Sequence, residues 1–153
     1  DQGKRVSGRV AYDRGQVRGS QSDSVDGQLA IRLSSSSSAA YILNTMRIPG
    51  SPWQSSSSEA IHRLKVEHAV GRALDLRAVV QLSGYRQSLQ WPHEMRVEQP
   101  VVNVTATWRP DPRSTIFVVY NHARASEARK GAEPRTTADG ASVAIKVTRS
   151  FTF

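Results

Sequence analysis

Apolar residues in this chain recur at every second position, and its last segment shows this most plainly. In Val143-Ala-Ile-Lys-Val-Thr-Arg-Ser-Phe-Thr-Phe153, Val143, Ile145, Val147, Phe151 and Phe153 share one face of a strand. Ser142, Ala144, Lys146, Thr148, Ser150 and Thr152 share the other. Period-two alternation of this kind predicts a strand with two unlike faces. Arg149 is the exception, standing on the apolar face. The same alternation, with β-branched and aromatic content, predicts eight strands in all: 4–13, 25–33, 39–48, 60–70, 74–83, 100–109, 115–122 and 141–153.

The intervening segments alternate in length. Those at 14–24, 49–59, 84–99 and 123–140 are long and polar, whereas those at 34–38, 71–73 and 110–114 are short. Long connections on one side and short turns on the other follow the rule for outer-membrane barrels, whose chain ends in the periplasm. The expected fold is therefore all-β: an antiparallel transmembrane β-barrel of about eight strands spanning 1–153 as one domain. It is either complete or the C-terminal part of a larger barrel. Most of the strands have about the length that a tilted strand needs to cross a bilayer. Tyr12, Tyr85 and Tyr120 fall toward the outer ends and Trp108, Phe151 and Phe153 toward the inner ends, as two interfacial aromatic belts require. The competing reading of these rings is the core of a soluble β-sandwich. The terminal Phe also resembles the signal read by the barrel-assembly machinery, and Val147, Phe151 and Phe153 would carry it.

If a membrane is present, charge must sort to the lumen, because a charged residue facing lipid at midplane costs about 2–4 kcal/mol. The apolar set is then Val6, Val10, Tyr12, Leu29, Ile31, Leu33, Leu64, Val66, Leu74, Leu76, Val80, Leu82, Val102, Val104, Ala106 and Trp108. The lumen-facing charged set is Arg5, Arg9, Arg32, Arg63, Lys65, Glu67, Asp75, Arg77, Arg109 and Lys146. Segments 39–48 and 115–122 are apolar on both faces and resist assignment. In the hairpin between Val70 and Leu74, one register opposes Glu67 to Asp75 and Lys65 to Arg77, which pairs like charges. The other opposes Glu67 to Arg77 around Gly71-Arg72-Ala73, and it is the expected one, with a buried ion pair fixing it.

Composition narrows the field. Hydrophobic residues make up 38%, and the mean hydropathy is −0.47. These values suit a soluble protein, but also a barrel in which only alternate residues meet lipid. The longest apolar run, Ile116–Tyr120, is far short of the roughly 20 residues of a membrane helix. Cysteine is absent, which excludes disulfides and thiolate metal sites. The chain opens at Asp1-Gln-Gly without a secretory signal, so an outer-membrane protein would have lost that segment or be the tail of something longer. The net charge is +8, from 21 Lys and Arg against 13 Asp and Glu. The charges are spread through alternating strands rather than clustered, which argues against a nucleic-acid partner.

From Leu74 onward the chain resembles one family. Leu74-Asp-Leu-Arg, Gln81-Leu-Ser-Gly-Tyr85, Val104-Thr-Ala-Thr-Trp108-Arg-Pro110, Thr115-Ile-Phe-Val-Val-Tyr120-Asn121 and Lys146-Val-Thr148 look like the C-terminal end of large outer-membrane proteins. In that family an N-terminal domain similar to family 9 carbohydrate-binding domains precedes a β-barrel of uncharacterised function. The Trp-Arg-Pro turn followed by Phe-Val-Val-Tyr-Asn is the most specific piece, and the resemblance covers the last four strands. The usual Pro-Gly turn is Pro110-Asp-Pro112 here, and no sandwich domain is present, so no glycan-related role comes with it. The resemblance implies a piece of a larger barrel in the bacterial outer membrane, with its C-terminus in the periplasm and no catalytic residue. The partners it implies are lipid, lipopolysaccharide, the assembly machinery and other subunits.

Candidate chemistry is sparse. His62, His68, His93 and His122 sit among many serines, yet no Gly-x-Ser-x-Gly occurs. His62 and His68 stand on one strand face about 20 Å apart, too far to share a metal. His93-Glu94 falls in an outer loop, Asp111 and Asp139-Gly140 read as turn residues, and the serine runs 34–38 and 55–58 read as flexible turn material. Neither a cofactor nor catalysis is expected. The leading expectation is a membrane anchor or pore-lining segment of a larger outer-membrane protein. The alternatives are a self-contained eight-stranded structural barrel, or a soluble basic β-protein that binds polyanions.

Overall fold

The computed structural model describes residues 5–17, 19–50, 55–88, 94–129 and 132–149. Eight strands follow one another: β1 (Val6–Val17), β2 (Ser20–Arg32), β3 (Ser37–Ile48), β4 (Ser56–Val70), β5 (Leu74–Ser88), β6 (Glu94–Asp111), β7 (Ser114–Arg129) and β8 (Arg135–Arg149). They form a single antiparallel sheet in chain order. Every strand pairs with its sequence neighbours alone, so the sheet is a meander whose outer edges are β1 and β8. Among the described residues β8 does not pair with β1, and the sheet is open rather than closed on itself.

Register sorts the two faces without ambiguity. One row of partners, Val6, Ile31, Ala39, Val66, Ala78, Val104, Tyr120 and Val143, crosses all eight strands. One residue along, on the opposite face, the row reads Ser7, Ala30, Ala40, Lys65, Val79, Asn103, Asn121 and Ser142. The segments the sequence left unassigned are settled by their neighbours. Tyr41 and Leu43 of β3 join the apolar face, opposite Leu29 and Gly27, while Ile42 joins the polar one. Ile116, Val118 and Tyr120 of β7 join the apolar face, and Phe117 and Val119 the polar one.

Most strands run longer than the apolar alternation predicts, and chiefly at the end away from the short turns. The expected loop 14–24 largely disappears: Val17 pairs with Ser20, and Gly19 adopts φ 81°. Expected loops 49–59, 84–99 and 123–140 likewise shrink as β4 to β8 continue upward, while β3 ends at Ile48 as expected. The serines of 56–58 belong to β4, and Asp139 is a strand residue opposite Arg124 rather than a turn residue. A β-ladder is held by backbone N–H and C=O groups, so pairing persists where the apolar side chains stop. The asymmetry read as long loops is thus an overhang of polar strand above the apolar band.

At the lower end the turns are short. Gly71, at φ 67°, opens the turn 71–73. Asp111 accepts a hydrogen bond from the Arg113 N–H at 2.8 Å, which makes it a turn residue as expected. Hydrogen bonds from Ser114 and from that N–H hold its carboxyl below the usual carboxylate range. Leu33 N donates to Ser37 O at 2.9 Å and Ala69 N to Ser36 O at 2.8 Å, so the serine run 34–38 is a bonded turn rather than flexible filler.

This sheet has no core. Among the described residues no apolar side chain is buried, and only Ser22, 8% exposed, is buried at all. The accessible surface is 11554 Å², against about 7,600 Å² for a compact monomer of this mass. Both faces of the sheet lie open along its length.

Candidate functional site

Two unlike surfaces result, an apolar band on one face and a charged wall on the other. In β5 the band runs from Leu74 to Leu82, about 26 Å along the strand. At its upper limit the apolar face turns charged, with Arg14 opposite Asp23 and Asp23 opposite Arg47. Tyr12, Trp108 and Tyr120 stand on this face, whereas Tyr85 pairs with Val97 on the charged face, apart from the other three. Parity counted from Leu82 already places Tyr85 there. Tyr41 belongs to the apolar face, and its hydroxyl lies 2.7 Å from His62 Nδ1. Val147 projects from the same face at 66% exposure. Arg149 also shares it, opposite Ser114. Phe151 and Phe153 lie outside the described residues, as does His93.

The ten charged residues singled out from the sequence occupy one face. Arg5 O accepts a hydrogen bond from Arg32 N at 2.7 Å, which extends the β1–β2 ladder and sets Arg5 beside Arg32. Arg109 bonds Asp75 across β5 and β6. Arg63 donates from Nε and an Nη to Gln81 Oε1, at 3.0 and 2.7 Å. Glu67 is opposite Arg77 around the turn 71–73, as the charge argument requires. The expected buried ion pair is nevertheless not formed. Glu67 turns along its own strand to Lys65 Nζ at 2.7 Å, and its side chain is 43% exposed. On an uncovered face nothing forces the carboxylate across the strands, and Lys65 two positions away is as near.

The side chains of Arg9, Arg77 and Lys146 make no hydrogen bond or ion pair with a described residue. Asp13, Asp26 and Glu59 share the charged face but were missing from the set read from sequence. Asp26 accepts from Asn44 Nδ2 at 2.5 Å. With Glu127 opposite Val97, the described acidic residues on this wall number six rather than two, and Arg129 and Arg135 raise the basic ones from eight to ten. The lower half holds a concavity of about 810 Å³ lined by Arg32, the serine turn, Glu67, Asp75, Arg77 and Thr105. Its two guanidinium groups are matched by two carboxylates, so the lining is polar without a net sign.

Nothing else assembles a reactive group. Ser37 Oγ lies 2.7 Å from His68 Nδ1, but no described carboxylate is bonded to that ring. His122 Nε2 lies 2.8 Å from Asp139 Oδ1 at the upper margin of the band, with no serine bonded to it. Among the described residues no group of three or more His, Asp or Glu could hold a metal ion. No family model, curated protein or solved structure matches the chain.

Proposed function

We propose that this chain is an eight-stranded wall segment of a bacterial outer-membrane β-barrel, with the apolar face against lipid and the charged face toward the lumen. Further strands continue the wall from the free edges of β1 and β8. The segment serves as membrane anchor or pore lining of a larger outer-membrane protein, of the kind its last four strands resemble. One observation carries this reading: an apolar row crosses all eight strands on one face, and nothing among the described residues covers it. Contiguous exposed apolar surface on this scale marks a membrane or protein contact. Charge above the band and its near-exclusion within it fit the profile of a bilayer. Short turns and both ends of the sheet's chain lie at one margin, which suits a periplasmic side.

Expressed in an outer-membrane-bearing bacterium, the protein should fractionate with that membrane, resist carbonate and urea washes, and require detergent for release. A monodisperse detergent-free preparation with native-like β circular dichroism would overturn the reading.

A lumen bounded by this wall should favour anions. Arg9, Arg77 and Lys146 lack described partners, and a wall of one sign raises the local concentration of the opposite ion until salt screens it. Reversal potentials under a salt gradient, measured on the intact barrel, should show anion preference that shrinks in the triple variant R9Q/R77Q/K146Q. Cation preference, or the absence of conductance, would make these residues cross-braces rather than a filter.

A further inference from the structure

Along the charged face, sign follows height. Arg9 of β1 and Arg63 of β4 lie on one row of partners, joined through Gln28 and Ile42. Asp13 and Glu59 share the row four residues higher, joined through Ser24 and Met46. The two rows are about 13 Å apart along the strands. In β2 the order is the same, with Arg32 low and Asp26 high. At and below the Arg9 row, the described wall holds eight basic residues against two acidic ones, Glu67 and Asp75. Those two carboxylates are taken by Lys65 and Arg109, so positive charge is in excess there. Above that row the balance reverses, with Asp13, Asp26, Glu59 and Glu127 against Arg129 and Arg135. Glu127 is 3.4 Å from Arg129 Nε. The other three acids face neutral residues across the strands: Asp13 faces Ser24, Asp26 faces Ala11 and Asn44, and Glu59 faces Met46 and Tyr85. The arginines of the overhang, Arg14, Arg47, Arg86 and Arg96, belong to the opposite face.

We infer that a lumen bounded by this wall conducts directionally, passing more current when the overhang side is positive. This rests on the pore-lining reading proposed above and adds an axial order to its anion preference. A level of carboxylates gathers cations, and a level of guanidinium and ammonium groups gathers anions. With the overhang side positive, cations enter through the acidic level and anions through the basic one. Each ion then arrives where it is already concentrated, and both accumulate between the two rows. With the polarity reversed, each must first cross the level that repels it, and the space between the rows is depleted. The two levels must also be distinct to ions in solution. In about 0.1 M salt the Debye length is about 10 Å, shorter than the separation of the rows. In about 1 M salt it is about 3 Å, and the wall charge no longer reaches across a lumen.

The test is the current–voltage curve of the intact barrel in planar bilayers, with the same salt on both sides. Orientation is read from the side on which a charged thiol reagent reaches S57C. This chain has no cysteine, and Ser57 lies on the charged face above Glu59. In about 0.1 M salt, current with the overhang side positive should exceed that at the opposite polarity by about 1.5-fold or more, and the difference should vanish near 1 M. D13N/E59Q should shrink the ratio toward one while anion preference persists or rises. R9Q/R63Q should shrink the ratio and lower the anion preference with it. A linear curve from a conducting wild type overturns this inference alone. Larger current at the opposite polarity, or a ratio undiminished in D13N/E59Q, does the same. No conductance in any salt overturns the pore-lining reading and this inference together.

Discussion

An arginine at Ala78 should destabilise the bilayer-folded protein by about 2–4 kcal/mol, and an arginine at Val79 by far less. The two positions are consecutive, lie at the level of the middle of the apolar band and differ only in face. Ala78 is flanked by Val66 and Val104, at the centre of the band from Leu74 to Leu82. A guanidinium there meets hydrocarbon and must snorkel or draw water inward. Val79 lies between Lys65 and Asn103, on a face that is already charged and solvated. Like-charge repulsion from Lys65 should cost it only a few tenths of a kcal/mol to about one. Urea unfolding in phospholipid vesicles measures both. Equal costs would mean that the two faces meet the same medium, and the membrane reading would fail.

Deleting Phe153 should sharply lower the membrane-inserted yield in cells while changing the stability of already folded protein by about 1 kcal/mol or less. β8 has one edge on β7 and the other free, and Val143, Ile145 and Val147 are 66–68% exposed on its apolar face. A free edge with an apolar face is the geometry by which one chain adds as a strand to another. Recognition by assembly machinery would act on that edge before insertion, whereas a terminal ring adds only modest burial afterwards. The comparison is between inserted yield in cells and refolding yield in detergent, for the intact chain and the deletion. Loss in cells with normal refolding is expected. Unchanged yield in cells would remove Val147, Phe151 and Phe153 from any signal.

Much of the sheet was legible in the sequence because one face is apolar. The Glu67–Arg77 register followed from two facts, a fixed set of apolar positions and the cost of opposing Glu67 to Asp75. The partner of Glu67 did not follow, since the choice between Arg77 across the sheet and Lys65 along it depends on side-chain conformations that pattern does not encode. The faces of β3 and β7 were illegible because Ala39, Ala40, Tyr41 and Ile42, like Phe117 and Val118, are apolar on both sides. Only the rows set by β2, β4, β6 and β8 decide them. The overhang was missed because Arg14-Gly15-Gln16 and Gln21-Ser22-Asp23 carry no apolar signal, although their backbones pair as well as any others.

A meander in which each strand touches only its neighbours has a consequence for how such a protein changes over generations. Inserting or removing a hairpin at either edge leaves every remaining pair, every row and both faces as they were. Perimeter can therefore vary in steps of two strands without redesign of the wall, and contacts that are local in sequence let each new hairpin form early in folding. Duplication of a pair such as β4–β5 would widen the sheet with the same margins, so the width of this architecture can be set by copy number rather than by substitution.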